Sequence, residues 1–209
     1  MNPESREVKI RSLAVLPVLA LGCLSLAGCD SKAGAAAVVD GHRITESDLS
    51  GYLTADAKPI QGSDGTTSTP PKIFVLEYLV RNQVFALLLS AVGAPASDSQ
   101  LQAQKTASLG GGTEKDLSDQ ITQLGLASKF EPVVVRNREL LTLINAKLKT
   151  NDQVNAALAK VKDKVTINPR YGSWDLQTVS LTDLGKKQLP SVLSYDGTLP
   201  GDVKPSTGQ

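Results

Sequence analysis

Few side chains in this 209-residue chain could carry covalent or metal chemistry. It has two cysteines, Cys23 and Cys29, and one histidine, His42. Zinc sites draw on clustered Cys and His, and neither residue type clusters here. A nucleophilic triad would have to recruit His42 from beside the Asp40-Gly41 turn dipeptide, and the chain has no Gly-x-Ser-x-Gly elbow. Gly110-Gly111-Gly112 resembles a phosphate loop only superficially: no Gly-Lys-Ser/Thr follows and no strand precedes it. The Asp-rich spacing of a calcium loop is also absent. Asp and Glu are spread over predicted helix surfaces, where solvation is the default. The expectation is a protein that is not an enzyme and takes no cofactor and no metal. The remaining reactive group is the Cys29 thiol, whose chemistry is decided by the segment before it.

That segment has the layout of a secretory signal. Arg6, Lys9 and Arg11 precede an uncharged apolar stretch from Leu13 to Leu26, and small residues lead into Cys29. Leu26-Ala27-Gly28-Cys29 matches the lipobox of bacterial lipoproteins, in which the cysteine sulfur takes a diacylglyceryl group and becomes the first mature residue. Ala20-Leu21-Gly22-Cys23 fits less well, with Ala in place of the usual branched residue and a large Leu next. The apolar run is shorter than the roughly 20 residues that span a bilayer. Residues 1–28 are therefore expected to be a signal peptide and 29–35 a lipidated tether at the extracytoplasmic face of the cell membrane.

Cleavage before Cys29 takes 28 residues from 209 and leaves 181, with 19 basic and 19 acidic side chains. A formally neutral chain of this kind lacks the basic footprint of a nucleic-acid binder. Cys23 departs with the signal and lipid consumes the Cys29 sulfur, so no disulfide is expected. The core must hold the fold alone, which is feasible at this length.

The downstream pattern is mainly helical. A short strand ending at Val39, the turn Asp40-Gly41 and a strand stub lead to Thr45, which with Asp48 caps a helix over Glu46–Ala55. Pro59 to Pro71 reads as a loop. Lys72–Val92 is apolar almost all round, as a central buried helix is. Glu77 and Arg81, one turn apart at its middle, are placed on a narrow exposed stripe. Ser97 with Gln100 opens a helix to Ala107, and Thr113 opens one through Leu124, ended by Gly125. Two more are expected over Glu131–Lys149 and from Asn151 or Asp152 to Lys164. Arg136, Arg138, Lys147 and Lys149 are assigned to a solvated basic face. From Val165 the period changes to two. That strand is expected to pair with the one near Val38, joining the start of the domain to its end. Leu176–Leu181 offers one more strand at the start of a C-terminal extension, 176–209, that is read as largely disordered from Gly185 onward.

Two segments resemble a known family. Val38-Val39-Asp40-Gly41-His42-Arg43-Ile44-Thr45 looks like the opening hairpin of SurA- and PrsA-type extracytoplasmic chaperones. Asn168-Pro169-Arg170-Tyr171-Gly172-Ser173-Trp174-Asp175 is similar to the segment that closes the SurA N-terminal-like domain of lipoproteins. The resemblance covers 36–175. It implies a helical chaperone module closed by a small β element pairing the chain start with the segment near 165–171. Its partners would be unfolded or newly exported polypeptides. Phe74, Tyr78, Phe85 and Leu89 on the apolar helix are the client-binding surface it suggests. The alternative is a helical scaffold for one defined envelope partner. Family members often carry an inserted parvulin-type isomerase domain; here the helices run directly into the closing strand, so no isomerase activity is expected.

Overall fold

A computed structural model of the chain describes residues 34–61, 68–109 and 111–182. Cys29 and residues 183–209 lie outside this set. The described residues are mainly helical with small antiparallel sheets.

β1 (Ala35–Val39) turns through Asp40 and Gly41 into β2 (His42–Thr45). Both turn residues have positive φ, 48° and 83°, as a two-residue type I′ hairpin requires. α1 (Glu46–Gly51) follows at once because Thr45 and Asp48 form a reciprocal capping box. It ends short of Ala55, and the reason lies across the fold. Leu53 forms a β-bridge with Leu126, while the Thr54 amide and hydroxyl both donate to the Gly125 carbonyl, at 3.0 and 2.8 Å. Gly125 has φ 69°, and a Cβ there would lie 2.5 Å from the Ala57 Cα, so only glycine fits this crossing. The expected loop from Pro59 to Pro71 instead carries two short paired strands, β3 (Ile60–Gln61) and β4 (Ser68–Thr69).

α2 (Pro71–Ala91) is the central helix, with Pro71 at its first position. By length and composition it could cross a membrane, but 67% of its most apolar stretch is buried within the domain. It packs on α5 (Glu131–Lys147) and α6 (Asn151–Val161), and also touches β1 and α1. α3 (Asp98–Ser108) lies against α5, and α4 (Glu114–Gln123) leads through a 3-10 turn at Ser128–Phe130 into α5. Ser97 with Gln100 and Thr113 with Asp116 cap α3 and α4 as expected. α6 starts at Asn151, but its cap is Thr150, paired with Gln153. Phe130, fully buried, gathers Tyr52, Phe74 and Tyr78 around it at centroid distances of 5.6, 6.0 and 5.6 Å.

β5 (Val165–Ile167) pairs antiparallel with β1, giving the sheet order β2-β1-β5 and joining the two ends of the helical run. The strand stops there: Pro169–Tyr171 forms a 3-10 turn, capped by the Asn168 side chain. A second hairpin follows, β6 (Ser173–Asp175) paired with β7 (Ser180–Thr182). β7 falls at the end of the strand expected over Leu176–Leu181, and Val179, Ser180 and Leu181 are all buried; the stretch from Gly185 onward, read as largely disordered, lies outside the described residues.

Candidate functional site

Two polar clusters tie the end of the described chain to its body, and both lie on or beside α2. The first is a clamp at the start of α1. Glu46 accepts from the Arg170 guanidinium, the Tyr171 hydroxyl and, at 3.5 Å, Lys72 Nζ. Asn168 adds main-chain ties: its amide donates to the Ala36 carbonyl at 2.9 Å and its Nδ2 to the Ala35 carbonyl at 3.0 Å. The Tyr171 bond, with Arg170 and Lys72 and against partial burial, holds the Glu46 carboxyl below its ordinary range. Burial and the Glu46 contact push the Tyr171 phenol up to about 12.

The second cluster sits at the middle of α2. Glu77 and Arg81 form an ion pair as their spacing predicts. The pair is not on an exposed stripe: the residues are 7% and 4% exposed. β7 and the residue before it cover it. Arg81 Nε donates to the Val179 carbonyl at 3.1 Å, and Glu77 accepts a main-chain hydrogen bond from Leu181. Burial, outweighing Arg81 and the Leu181 bond, pushes the Glu77 carboxyl above its ordinary range. The Arg81 guanidinium also lies 5.6 Å from the Tyr78 ring centroid.

Local chemistry shapes this cover. Asp175 Oδ1 accepts from the amides of Gln177 and Thr178, at 2.7 and 3.4 Å, and folds the chain back after β6. Val179 then takes a φ of 49°. A β-branched residue there is a genuine outlier, at a cost of order 1–3 kcal/mol. The indole Nε1 of Trp174 is buried and has no hydrogen-bond partner among the described residues. The hairpin is well packed and poorly optimised.

Further along α2, Asn82 Nδ2 donates to the Val133 carbonyl and Asn137 Nδ2 to Asn82 Oδ1, both at 2.9 Å, pinning α2 to α5. Arg138 is buried, unlike exposed Arg136, Lys147 and Lys149, so the expected basic face loses a member. Burial also raises the Glu139 carboxyl, opposed by Arg136 and Lys105.

Phe74, Tyr78, Phe85 and Leu89 are 6%, 6%, 1% and 1% exposed. They are core side chains here, and the suggested client surface is closed. α2 is apolar on every side, so its sequence alone does not say which side its neighbours leave open. His42 is exposed at the start of β2. No group of His, Cys, Asp or Glu able to hold a metal occurs among the described residues. The Glu77–Arg81 seat was half legible: the spacing announces the pair and Leu176–Leu181 offers a strand, but nothing local announces that this strand covers the pair.

No protein-family model matches the chain, and neither do the curated proteins or the solved structures with which it was compared.

Proposed function

We propose that this protein is a lipid-anchored extracytoplasmic chaperone that binds unfolded or newly exported polypeptides, of the SurA N-terminal-like kind without an isomerase domain. One observation carries the reading: the two segments that resemble that family meet in space, in the arrangement a single module needs. The opening hairpin runs into Glu46, and Glu46 is gripped by Arg170 and Tyr171 of the closing segment. β1 pairs with β5, so a helical run is enclosed between the two. The lipobox at Cys29 supplies the location: a tether of a few residues holds the domain within about 20–25 Å of the membrane, where exported chains emerge.

The test is aggregation of a chemically unfolded protein in the presence of the full chain. Suppression at stoichiometric ratio is the expected result, and no effect at molar excess refutes the reading. Replacing Cys29 by Ala should abolish lipid attachment and leave the domain folded. Normal processing at residue 29 in that variant would refute the anchor.

A scaffold for one defined envelope partner is the second reading, and the closed surface favours it. Among the described residues Val92, at 38%, is the one large hydrophobic side chain that is exposed. Crosslinking in intact cells separates the two: many unrelated exported proteins for a chaperone, one stoichiometric protein for a scaffold.

A further inference from the structure

The polar contacts that hold Val179 and Leu181 against α2 are made to main-chain groups. Arg81 takes the carbonyl of Val179, and Glu77 takes the N–H of Leu181. Residues two apart on a strand present their main-chain groups along the same edge, about 6.6 Å apart. Residues four apart on a helix stand one above the other at a rise of about 6 Å. The i,i+4 acid–base pair therefore reaches a carbonyl and an N–H two residues apart, Leu181 within β7 and Val179 just before it at φ 49°. β6 holds the other edge, pairing with Ser180, Leu181 and Thr182. The segment is thus held through its backbone from both sides, with Val179, Ser180 and Leu181 buried. Binding of this kind is strand addition, in which main-chain hydrogen bonds supply affinity and tolerate sequence.

We propose that Glu77, Arg81 and the free edge that β6 would have without β7 form a seat for one extended apolar segment of an unfolded polypeptide, and that Val179–Thr182 occupies this seat in cis. The inference rests on the chaperone reading and names its site. It also accounts for the closed surface: the seat is filled by the chain itself until a client displaces it. Exchange is favoured by what the resident segment does badly. Val179 is forced to φ 49°, a conformation an incoming strand does not need, and β7 is three residues long. The buried indole N–H of Trp174, without a partner among the described residues, is a donor an incoming side chain can satisfy. A client strand pairs with β6 where β7 did and takes the same grips from Arg81 and Glu77.

The test locks the resident strand in place. Ser173 Oγ and Thr182 Oγ1 lie 3.1 Å apart on one face of the hairpin, so Ser173→Cys/Thr182→Cys in the full chain should form a cross-strand disulfide. Binding of labelled, reduced and carboxymethylated α-lactalbumin is measured oxidised and after reduction. The seat requires at least about a 10-fold loss on oxidation, restored by reduction, because only the unlocked fraction is competent. Equal binding in both states leaves the chaperone reading standing and overturns the seat; binding in neither state overturns the chaperone reading itself. A dimer that disappears on locking, with probe binding unchanged, would give the seat to a second copy of the chain and overturn the client assignment. The main-chain grip is tested separately with a peptide of sequence 176–182. It should compete with the probe and shift the emission of Trp174, the only tryptophan. Methylation of the peptide nitrogen at the position of Leu181 should weaken competition by about 10-fold or more. Equal competition by the methylated peptide overturns recognition through the main chain.

Discussion

The domain is closed twice near its end, at the Glu46 clamp and at the Glu77–Arg81 seat, and the two closures use the same chemistry in opposite surroundings. At the clamp a glutamate meets arginine, tyrosine and lysine at the edge of solvent, beside a β ladder that already holds the chain. At the seat a glutamate and an arginine are buried and joined by the main chain of a short strand. Solvent makes the first pair weak and dispensable. Burial makes the second costly to leave incomplete, though not a strong source of stability as a pair. The clamp therefore reads as a permanent fastening built mainly on backbone, and the seat as a contact whose partner matters.

The largest expected effect is at the seat. Arg81→Met should destabilise the domain by about 3–5 kcal/mol, because it strands a buried carboxylate, whereas Glu77→Leu/Arg81→Met should cost less, about 1–3 kcal/mol, for the Val179 carbonyl and Leu181 N–H left without their partners. Denaturant unfolding measures both, and equal costs for the single and the double variant would make the two closures alike. At the clamp, Asn168→Ala removes the Nδ2 bond to Ala35 and the cap on the Arg170 amide. A loss of about 1–2 kcal/mol is expected, and a cost matching Arg81→Met would break the distinction.

The two glutamates should also titrate with opposite sign. The folded Glu46 value is depressed, first by the Tyr171 bond and then by Arg170 and Lys72. Its stabilising contribution is present above the unfolded glutamate value and lost as pH falls through the lower folded one. The folded Glu77 value is raised by burial. Its contribution is present below the unfolded value and lost as pH rises through the folded one. Carboxyl NMR titration should place Glu46 below and Glu77 above an ordinary glutamate, and Glu46→Gln should reduce the acid-side loss of stability. The smallest effect is at Arg170: replacement by Ala should cost about 0.2–1 kcal/mol, shrinking in high salt, while a salt-independent loss would show the clamp to be less wet than its exposure suggests.

Much of this architecture was legible from local signals. The Asp40-Gly41 turn, the capping boxes at Thr45, Ser97 and Thr113, and the apolar run of α2 each reside in a few neighbouring residues, and each formed where expected. α6 starts at Asn151, one of the two expected positions, and its Thr150–Gln153 cap, though equally local, was not singled out. The candidate surface was misread for a different reason. Phe74, Tyr78, Phe85 and Leu89 lie on a helix apolar all round, so periodicity could not say which side would be covered.

By itself the sequence determined the helical order, the caps and turns, and the meeting of the domain's two ends; the expected lipobox at Cys29 lies outside the described structure. Those features depend on contacts within a turn or on the general need of a short strand for a partner. Only the tertiary structure decided that Glu77 and Arg81 are dry, that Arg138 is buried, and that residues just past the closing segment lie over the central helix. A short strand such as the one offered over Leu176–Leu181 carries no signal of where it packs, and burial of a charged pair is a property of what packs against it.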